Sequence, residues 1–292
     1  MNIGVWDLAT VIAKATVYAA TFAASGGVFF LAYCRDLLSD LNVARIRRLI
    51  GVAIGVAITC SLARVGILAG SMSDAMTGMV DPAMLRMVLG SGEGAATAVR
   101  VLGLTLTALA LLPSRRLPVI AWIGAVFAAT SFAWVGHAHV AGSEGLTVSL
   151  LGMHLICVAF WLGALGPLLL IARDPDPARF GAAAARFGRI ALWGVGLLLA
   201  AGTVLLACLL GTVSEFWSSD YGRAFVAKLG LVVCLLGSAA LNKLRLTPRV
   251  NTGVAGASSS LARSIRVEIA VGGLILLTTA ALTTLWGPAT LE

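Results

Sequence analysis

Apolar segments of about 20 residues recur along the whole chain and are separated by short polar gaps. A helix needs about 20 residues to cross the hydrocarbon core of a bilayer, whereas the strands of a membrane barrel are about ten residues long and alternate in polarity. These segments do not alternate, so the pattern predicts an all-α integral membrane protein, a bundle of eight transmembrane helices. The predicted helices are Ala9–Tyr33, Leu49–Gly70, Gly94–Leu112, Pro118–Ala138, Leu146–Ala172, Ile190–Leu210, Tyr221–Leu241 and Val267–Gly287.

The composition agrees with this class, because 59% of the 292 residues are hydrophobic and only 12% are charged. Soluble domains average about 45–50% apolar and about 25% charged residues. Residues 1–292 are therefore predicted to form a single polytopic membrane domain surrounded by the lipid bilayer. The first apolar segment has no basic stretch before it and no cleavage site after it, so we do not expect a cleaved signal peptide.

The net charge of +8 arises from Lys and Arg residues that are concentrated in every second gap. These basic gaps are residues 35–48, 113–116, 173–189 and 243–266. Cytoplasmic loops of membrane proteins carry an excess of Lys and Arg, so the basic gaps are predicted to be cytoplasmic and both chain termini periplasmic. Because the basic residues follow the order of the spans, they do not indicate binding of nucleic acid.

The five cysteines lie in different apolar segments and form no C-x-x-C pair, so no disulfide framework is expected. The chain also has no G-x-x-x-x-G-K-[ST] motif for nucleotide phosphates and no large cytoplasmic domain. Any transport should therefore be passive or coupled to an ion rather than driven by ATP, and we do not expect an enzyme.

All three histidines lie between residues 137 and 154, and histidine is costly in a lipid-embedded segment. His137 and His139 end the fourth predicted helix, whereas His154 lies about two turns, roughly 12 Å, into the fifth. Met153 precedes His154, and Cys157 follows it at i+3 on one helix face. Imidazole and soft sulfur are ligands of copper, so these residues are candidate metal ligands. In the alternative interpretation, the first two histidines are interfacial and the third is a hydrogen-bonded core residue.

Five of the seven methionines lie between the second and third predicted helices, in residues 71–92. Thioether sulfur is a soft ligand that selects Cu(I). Met72, Met76 and Met79 are spaced so that one helical face could present them, which makes them candidate ligands at the periplasmic surface. The alternative is an amphipathic helix on the membrane surface that uses methionine for apolar contacts.

Four basic residues, Lys14, Arg64, Arg100 and Lys228, interrupt the apolar spans near their periplasmic ends. Each costs about 2.5–3.5 kcal/mol at the middle of a bilayer. One interpretation is that they extend outward to water or pair with Asp and Glu of the periplasmic loops. The other is a basic inner shell that attracts an anion or a haem propionate, which would oppose the passage of a free cation.

Five short motifs occur one after another in the second half of the chain, and their order and spacing are informative together. They are His154-Leu155-Ile156-Cys157-Val158-Ala159-Phe160-Trp161-Leu162-Gly163-Ala164-Leu165, Arg186-Phe187-Gly188-Arg189, Tyr221-Gly222 with Lys228, Leu241-Asn242-Lys243 before Pro248, and Arg266-Val267-Glu268. Together they resemble the copper resistance protein D (CopD) family of bacterial inner-membrane proteins, over about residues 134–288. The first half is similar to the family only in helix number and charge pattern. The resemblance implies a multi-pass protein of the cell inner membrane that moves copper, with a separate periplasmic copper-binding partner of the CopC type.

The main hypothesis is therefore copper transport from periplasm to cytoplasm, with Cu(I) favoured by the soft donors. The candidate metal ligands are Met72, Met76, Met79, His137 and His139 for capture at the periplasmic face, and Met153, His154 and Cys157 within the bundle. The alternative hypothesis is a membrane electron carrier or oxidoreductase that binds haem b between histidines of the fourth and fifth helices. A third is a membrane anchor or assembly factor with no transported substrate.

Overall fold

The computed structural model describes residues 4–112, 118–134, 144–174, 176–209 and 220–285. These residues form ten α-helices and contain no β-strand, which confirms the predicted all-α class. The helices are α1 (Val5–Cys34), α2 (Asp40–Ser73), α3 (Pro82–Leu89), α4 (Gly92–Thr107), α5 (Val119–Thr130), α6 (Glu144–Ile171), α7 (Pro177–Leu209), α8 (Asp220–Leu241), α9 (Thr247–Asn251) and α10 (Ala257–Leu285). A π-helical turn, Asn242–Leu246, joins α8 to α9.

Seven stretches of the described chain are long and apolar enough to cross a membrane. They comprise α1, α2, α4, α6, α7, α8 with its continuation to Asn251, and α10. The remaining predicted span, Pro118–Ala138, corresponds to the shorter apolar helix Val119–Trp134. Its last predicted residues, 135–138, lie outside the described residues. A multi-pass helical membrane protein is therefore confirmed, whereas the count of eight spans and the periplasmic termini stay predictions.

Three of the four predicted cytoplasmic gaps are largely helical, so the loop boundaries predicted there were wrong, whereas residues 113–116 lie outside the described residues. α2 begins at Asp40, where the side chain of Ser39 accepts a hydrogen bond from the backbone N–H of Asn42. α7 begins at Pro177, and the Asp176 carboxylate accepts a backbone N–H in its first turn. A capping side chain and a proline in the first turn are both signals for a helix start. A helix can continue beyond the membrane through basic residues, because Lys and Arg pack their apolar stems against the helix while their charged groups reach water.

Three of the basic gaps meet at one end of the bundle, which we call the basic end. Arg186 of α7 forms an ion pair with Asp36, which follows α1. Asn42 of α2 donates a hydrogen bond to Asp174, which follows α6, and α7 also packs on α9. Hydrogen bonds from the backbone of Asp176 and from Asn42 hold the pKa of Asp174 below its usual value. The connections between successive spans are thus tied to one another at this end.

α1 lies at the centre of the bundle, where it packs on α2, α6, α10 and α5. It crosses α6 at Gly26 and Gly163: a Cβ atom on Gly26 would lie 2.0 Å from the carbonyl oxygen of Ala159 and 2.6 Å from the Cα of Gly163. Residues without a side chain allow two helix backbones to approach this closely. α6 is therefore held tightly against the central helix, whereas α7 and α8 are largely exposed, as suits contact with lipid.

Candidate functional site

His154 lies well inside α6, ten residues from its first residue, or about 15 Å along the helix. Its Nδ1 atom is buried and has no hydrogen-bond partner in the described part of the chain. Cys157, half-buried, follows one turn later on the same face. Lys228 of α8 is near enough for its charge to act on the imidazole. Among the described residues, Nδ1 thus lacks the hydrogen bond that the alternative of a core histidine expects, and the role of His154 as a metal ligand stays a prediction.

Met153 lies on an adjacent face of α6 and is 45% exposed, so it points more toward the surface of the bundle than His154 does. Cys157 is its i+4 neighbour, so the thioether and the thiol lie within about one helical turn of the imidazole. In the described residues, no group of three or more His, Cys, Asp and Glu side chains is placed to hold a metal ion. The donors that α6 does offer are one nitrogen and two soft sulfurs, a set that suits Cu(I) better than a hard cation.

His137 and His139 lie outside the described residues, so their part in a metal site stays a prediction. Among the described residues, His154 is the one histidine. A haem held by two axial histidines would need one of the other two as well, and no contact of the described residues supports the haem hypothesis.

The methionine segment is not one helix. Met72 lies in the last turn of α2, and the next residue but one, Asp74, ends the helix in a left-handed conformation with a φ of 49°. Met76 and Met79 follow in a 3₁₀ turn. The prediction that one helical face presents all three methionines is therefore wrong, because a left-handed residue reverses the chain between them. Met72 and Met76 are 55% and 75% exposed, whereas Met79 packs against Gly70.

The second part of that segment forms α3, a short surface helix. The Asp81 side chain accepts hydrogen bonds from two backbone N–H groups of its first turn. Met84 and Val88 pack against Val65 and Ala69 of α2. The alternative interpretation, methionine as an apolar contact in an amphipathic helix, therefore holds for Met84. It leaves Met72, Met76 and Met87, of which Met87 is 56% exposed, as the thioethers that are free for a ligand at this end.

Arg64 of α2 forms a two-point ion pair with Glu93, in the first turn of α4. The distances are 2.5 Å from Nη1 to Oε2 and 2.6 Å from Nη2 to Oε1, and Arg64 is only 6% exposed. Pairing of a span's basic residue with a carboxylate is thus confirmed for Arg64, although Glu93 belongs to a helix rather than to a loop. Arg64 therefore follows the pairing alternative rather than extension outward to water, because its own side chain is buried.

Two more cations lie in the same region, at the end of the bundle opposite the basic end. Arg100 is 1% exposed, and its Nε donates a hydrogen bond to the Ser131 hydroxyl at 3.1 Å. Its guanidinium lies 4.1 Å from the centre of the Phe132 ring, a cation–π contact. Lys14 Nζ donates to the carbonyl oxygen of Thr283 at 3.2 Å. We call Lys14, Arg64, Glu93 and Arg100 the Arg64 cluster. It ties α1, α2, α4, α5 and α10 together.

A second buried polar contact joins α8 to α10 and was missed from the sequence. Asn242 Nδ2 donates a hydrogen bond to Glu268 Oε1 at 2.6 Å, and the Ser238 and Ser264 hydroxyls lie 3.2 Å apart beside it. The last predicted helix starts at Val267, so the sequence placed the Glu268 carboxylate near water. In the structure α10 already starts at Ala257, and Glu268 is one of its buried residues. The available signal was the i, i+4 spacing of Ser and Asn on one helix and of Ser and Glu on the other.

These features define a polytopic α-helical membrane protein. Its described interior carries an imidazole whose Nδ1 atom has no hydrogen-bond partner, and two separate buried polar sites. Two family models match the chain: "Copper resistance protein D-like, N-terminal domain" over residues 5–149 and "Copper resistance protein D" over residues 181–282. The chain belongs to the copper resistance protein D family. The resemblance seen in the motifs of the second half is confirmed, and the first half matches a model as well.

A relative of known name is the copper transport protein CutJ of Bacillus subtilis (strain 168), which is 27% identical over 175 residues. The match covers 59% of this chain but only 30% of the relative, so the chain corresponds to less than a third of that protein. No solved structure matches the chain significantly. Family and relative together support a role in copper transport or resistance at a membrane.

Proposed function

We propose that this protein transports copper as Cu(I) across the bacterial inner membrane, from the periplasm to the cytoplasm. Membership of the copper resistance protein D family supports copper as the substrate. The orientation in the membrane rests on the charge distribution: an excess of Lys and Arg marks the cytoplasmic side, so the basic end would face the cytoplasm. The inward direction is the one that the resemblance to the family implies. The end with the exposed methionines and both termini would then face the periplasm.

The observation that carries the proposal is the buried Nδ1 atom of His154 without a partner in the described residues. An unpaired polar atom inside a membrane bundle is costly, so such an atom indicates a ligand. Cys157 and Met153 add soft sulfur within one helical turn, and soft sulfur selects Cu(I). His154 would therefore bind copper during its passage between the two surfaces.

Capture of copper at the periplasmic face is assigned to Met72 and Met76, because their side chains are exposed, with His137 and His139 as further ligands. A small periplasmic copper-binding protein of the CopC type would deliver the metal there. The energy would come from the copper gradient or from a coupled ion.

The test is Cu(I) uptake by liposomes that contain the purified protein and trap bathocuproine disulfonate, a chelator that changes colour when it binds Cu(I). Ascorbate outside keeps the copper reduced. His154→Ala should lower the initial rate about tenfold or more, since even the loss of a supporting partner of a metal ligand costs about 10–100-fold. Cys157→Ala should also lower it. Cys60→Ala is the matched control, because Cys60 is half-buried like Cys157 but lies on α2.

Two results would contradict the proposal at different levels. Uptake no faster than in protein-free liposomes would reject transport itself. Uptake that is equal in wild type and His154→Ala, with both proteins monodisperse, would reject His154 as part of the path while leaving transport in place.

A further inference from the structure

Glu268 is a carboxylic acid deep inside the bundle. It is 3% exposed and lies eleven residues into α10, about 16 Å from the start of that helix. Acidic residues in membrane spans are rare because they are costly, and where they occur they commonly serve ion or proton movement. Glu268 therefore calls for a partner or a function.

The described surroundings of Glu268 are polar but contain no cation that pairs with it. Asn242 Nδ2 donates a hydrogen bond to Oε1 at 2.6 Å, and the hydroxyls of Ser238 and Ser264 lie 3.2 Å from each other beside this contact. No described Lys, Arg or His side chain forms an ion pair with it. The titratable groups with described side chains on elements that pack against α10, and on α10 itself, are Asp7, Lys14, Tyr18, Tyr33, Cys34, His154, Cys157, Arg179, Arg186, Arg189, Tyr221, Arg223, Lys228, Cys234, Lys243, Arg245, Arg249, Arg263 and Arg266.

The hydrogen bonds at this site are incomplete unless Glu268 carries a proton. Asn242 Oδ1 is buried and has no donor among the described residues. An ionised carboxylate can only accept hydrogen bonds, whereas a protonated one has an O–H to donate. A proton on Oε2 would give Asn242 Oδ1 its missing donor, while Nδ2 continues to donate to Oε1. Removing the charge would also remove the cost of burying an unpaired anion.

The backbone beside the site is irregular as well. Asn242 is the first residue of the π-helical turn Asn242–Leu246, and π turns in helices are found frequently at functional sites. The site is also in packing contact with the helix that carries His154. Gly272, one turn beyond Glu268, lies against Leu162 of α6, which is two turns beyond His154: a Cβ atom on this glycine would be 2.8 Å from Leu162 Cδ2.

We propose that Glu268, held by Asn242, is a proton-binding site that couples proton movement to copper transport. The inference rests on the proposed transport function and deepens it by naming the coupling ion. In one state of the cycle Glu268 is a neutral acid that donates to Asn242; in the other it has released the proton to water and is an anion that only accepts. Release and rebinding change the packing of α10 against α6 and thus the surroundings of the copper site.

The proton itself is tested without copper, by infrared spectroscopy of the full-length protein in lipid. Wild type at neutral pH should show the carbonyl band of a protonated carboxylic acid, and Glu268→Gln should lack it. Asp36→Asn, which removes an exposed carboxylate that pairs with Arg186, is the control and should keep the band. A wild-type spectrum without this band, or an unchanged band in Glu268→Gln, would overturn the proposal whether or not the protein transports copper.

The coupling is tested in the uptake assay with a pH-sensitive dye trapped in the liposomes. Wild type should change the lumenal pH when Cu(I) is added, and an imposed pH gradient should alter its rate. Glu268→Gln should lose both effects, and Glu268→Asp, which keeps a carboxylic acid, should retain them. If Glu268→Gln were not monodisperse, the Asn242→Ala variant would replace it, with weakened coupling expected.

Copper uptake by wild type without any lumenal pH change would overturn proton coupling and leave copper transport standing. Uptake that depends on Na⁺ instead would do the same and would assign the site to a metal cation. An absence of uptake in wild type would reject the transport function, and the infrared result would then decide by itself whether Glu268 binds a proton.

Discussion

Replacement of Glu93 by Gln should destabilise the protein more than the loss of any other described ion pair. Glu93 makes two hydrogen bonds to the guanidinium of Arg64, at 2.5 and 2.6 Å, and Arg64 is 6% exposed. The amide of Gln can still accept one of these bonds but carries no charge. Arg64 would then be a buried cation beside two others, Lys14 and Arg100, with no described carboxylate to balance them.

The size of the effect follows from the burial of the pair. Breaking a buried ion pair by removing one partner costs about 3–5 kcal/mol. The Glu93 side chain is 23% exposed, and water can reach part of the site, so we expect the lower value of about 3 kcal/mol. In a chain of this size, each kcal/mol lowers the midpoint of thermal unfolding by about 2 °C or slightly more, which gives a fall of about 6 °C or more.

The assay is thermal unfolding of the purified protein in detergent, followed by circular dichroism. Asp40→Asn is the control, because Asp40 pairs with Arg35 at 2.9 Å but its side chain is 96% exposed, and exposed pairs contribute only about 0–1 kcal/mol. The double variant Glu93→Gln/Arg64→Met should recover most of the lost stability, since it removes the unpaired charge as well. Equal midpoints for Glu93→Gln and Asp40→Asn would refute the reasoning.

Three further predictions concern other parts of the chain. Gly163→Leu should prevent folding in detergent, because even its Cβ would lie 2.2 Å from a backbone oxygen of α1, whereas Gly273→Leu, with nothing within 4 Å of its Cβ, should leave the yield of monodisperse protein unchanged. Asp74→Gly should unfold at an equal or higher temperature, and Asp74→Val should lose about 1–2 kcal/mol, because a left-handed backbone is strained for a β-branched residue. The double variant Met72→Leu/Met76→Leu should raise the KM for Cu(I) uptake and keep the maximal rate; a lower maximal rate with an unchanged KM would exclude a role in capture.

The features that sequence analysis predicted well are those that depend on local composition. Hydropathy over about 20 residues is enough to identify a span. The three basic gaps that the structure describes do meet at one end, through the pairs Arg186–Asp36 and Asn42–Asp174 and the packing of α7 on α9. The α6 face with His154 was also predictable, because i, i+3 and i+4 spacing fixes which side chains share a helix face.

The features that it missed depend on contacts between distant segments. No local pattern shows that Arg64 meets Glu93, 29 residues later, or that Asn242 meets Glu268, 26 residues later. The break after Met72 was also missed, since periodic spacing of methionines continues across a residue whose backbone reverses the chain. Such positions are decided by tertiary packing, which overrides the local preference for helix.

The buried charges restrict where a cation can cross this bundle. The Arg64 cluster holds three cations and one carboxylate at the end opposite the basic end, and in an interior of low dielectric constant an excess of positive charge strongly repels another cation. On the proposed function, copper captured at the exposed Met72 and Met76 would therefore enter the bundle away from the interior between α1, α2 and α4. The α6–α8–α10 side offers His154 and Glu268, and there Lys228 is the cation whose charge reaches the imidazole. In that proposal the N-terminal helices hold α6 through Gly26 and Gly163 and present the capture methionines, whereas the C-terminal helices carry the path through the bundle.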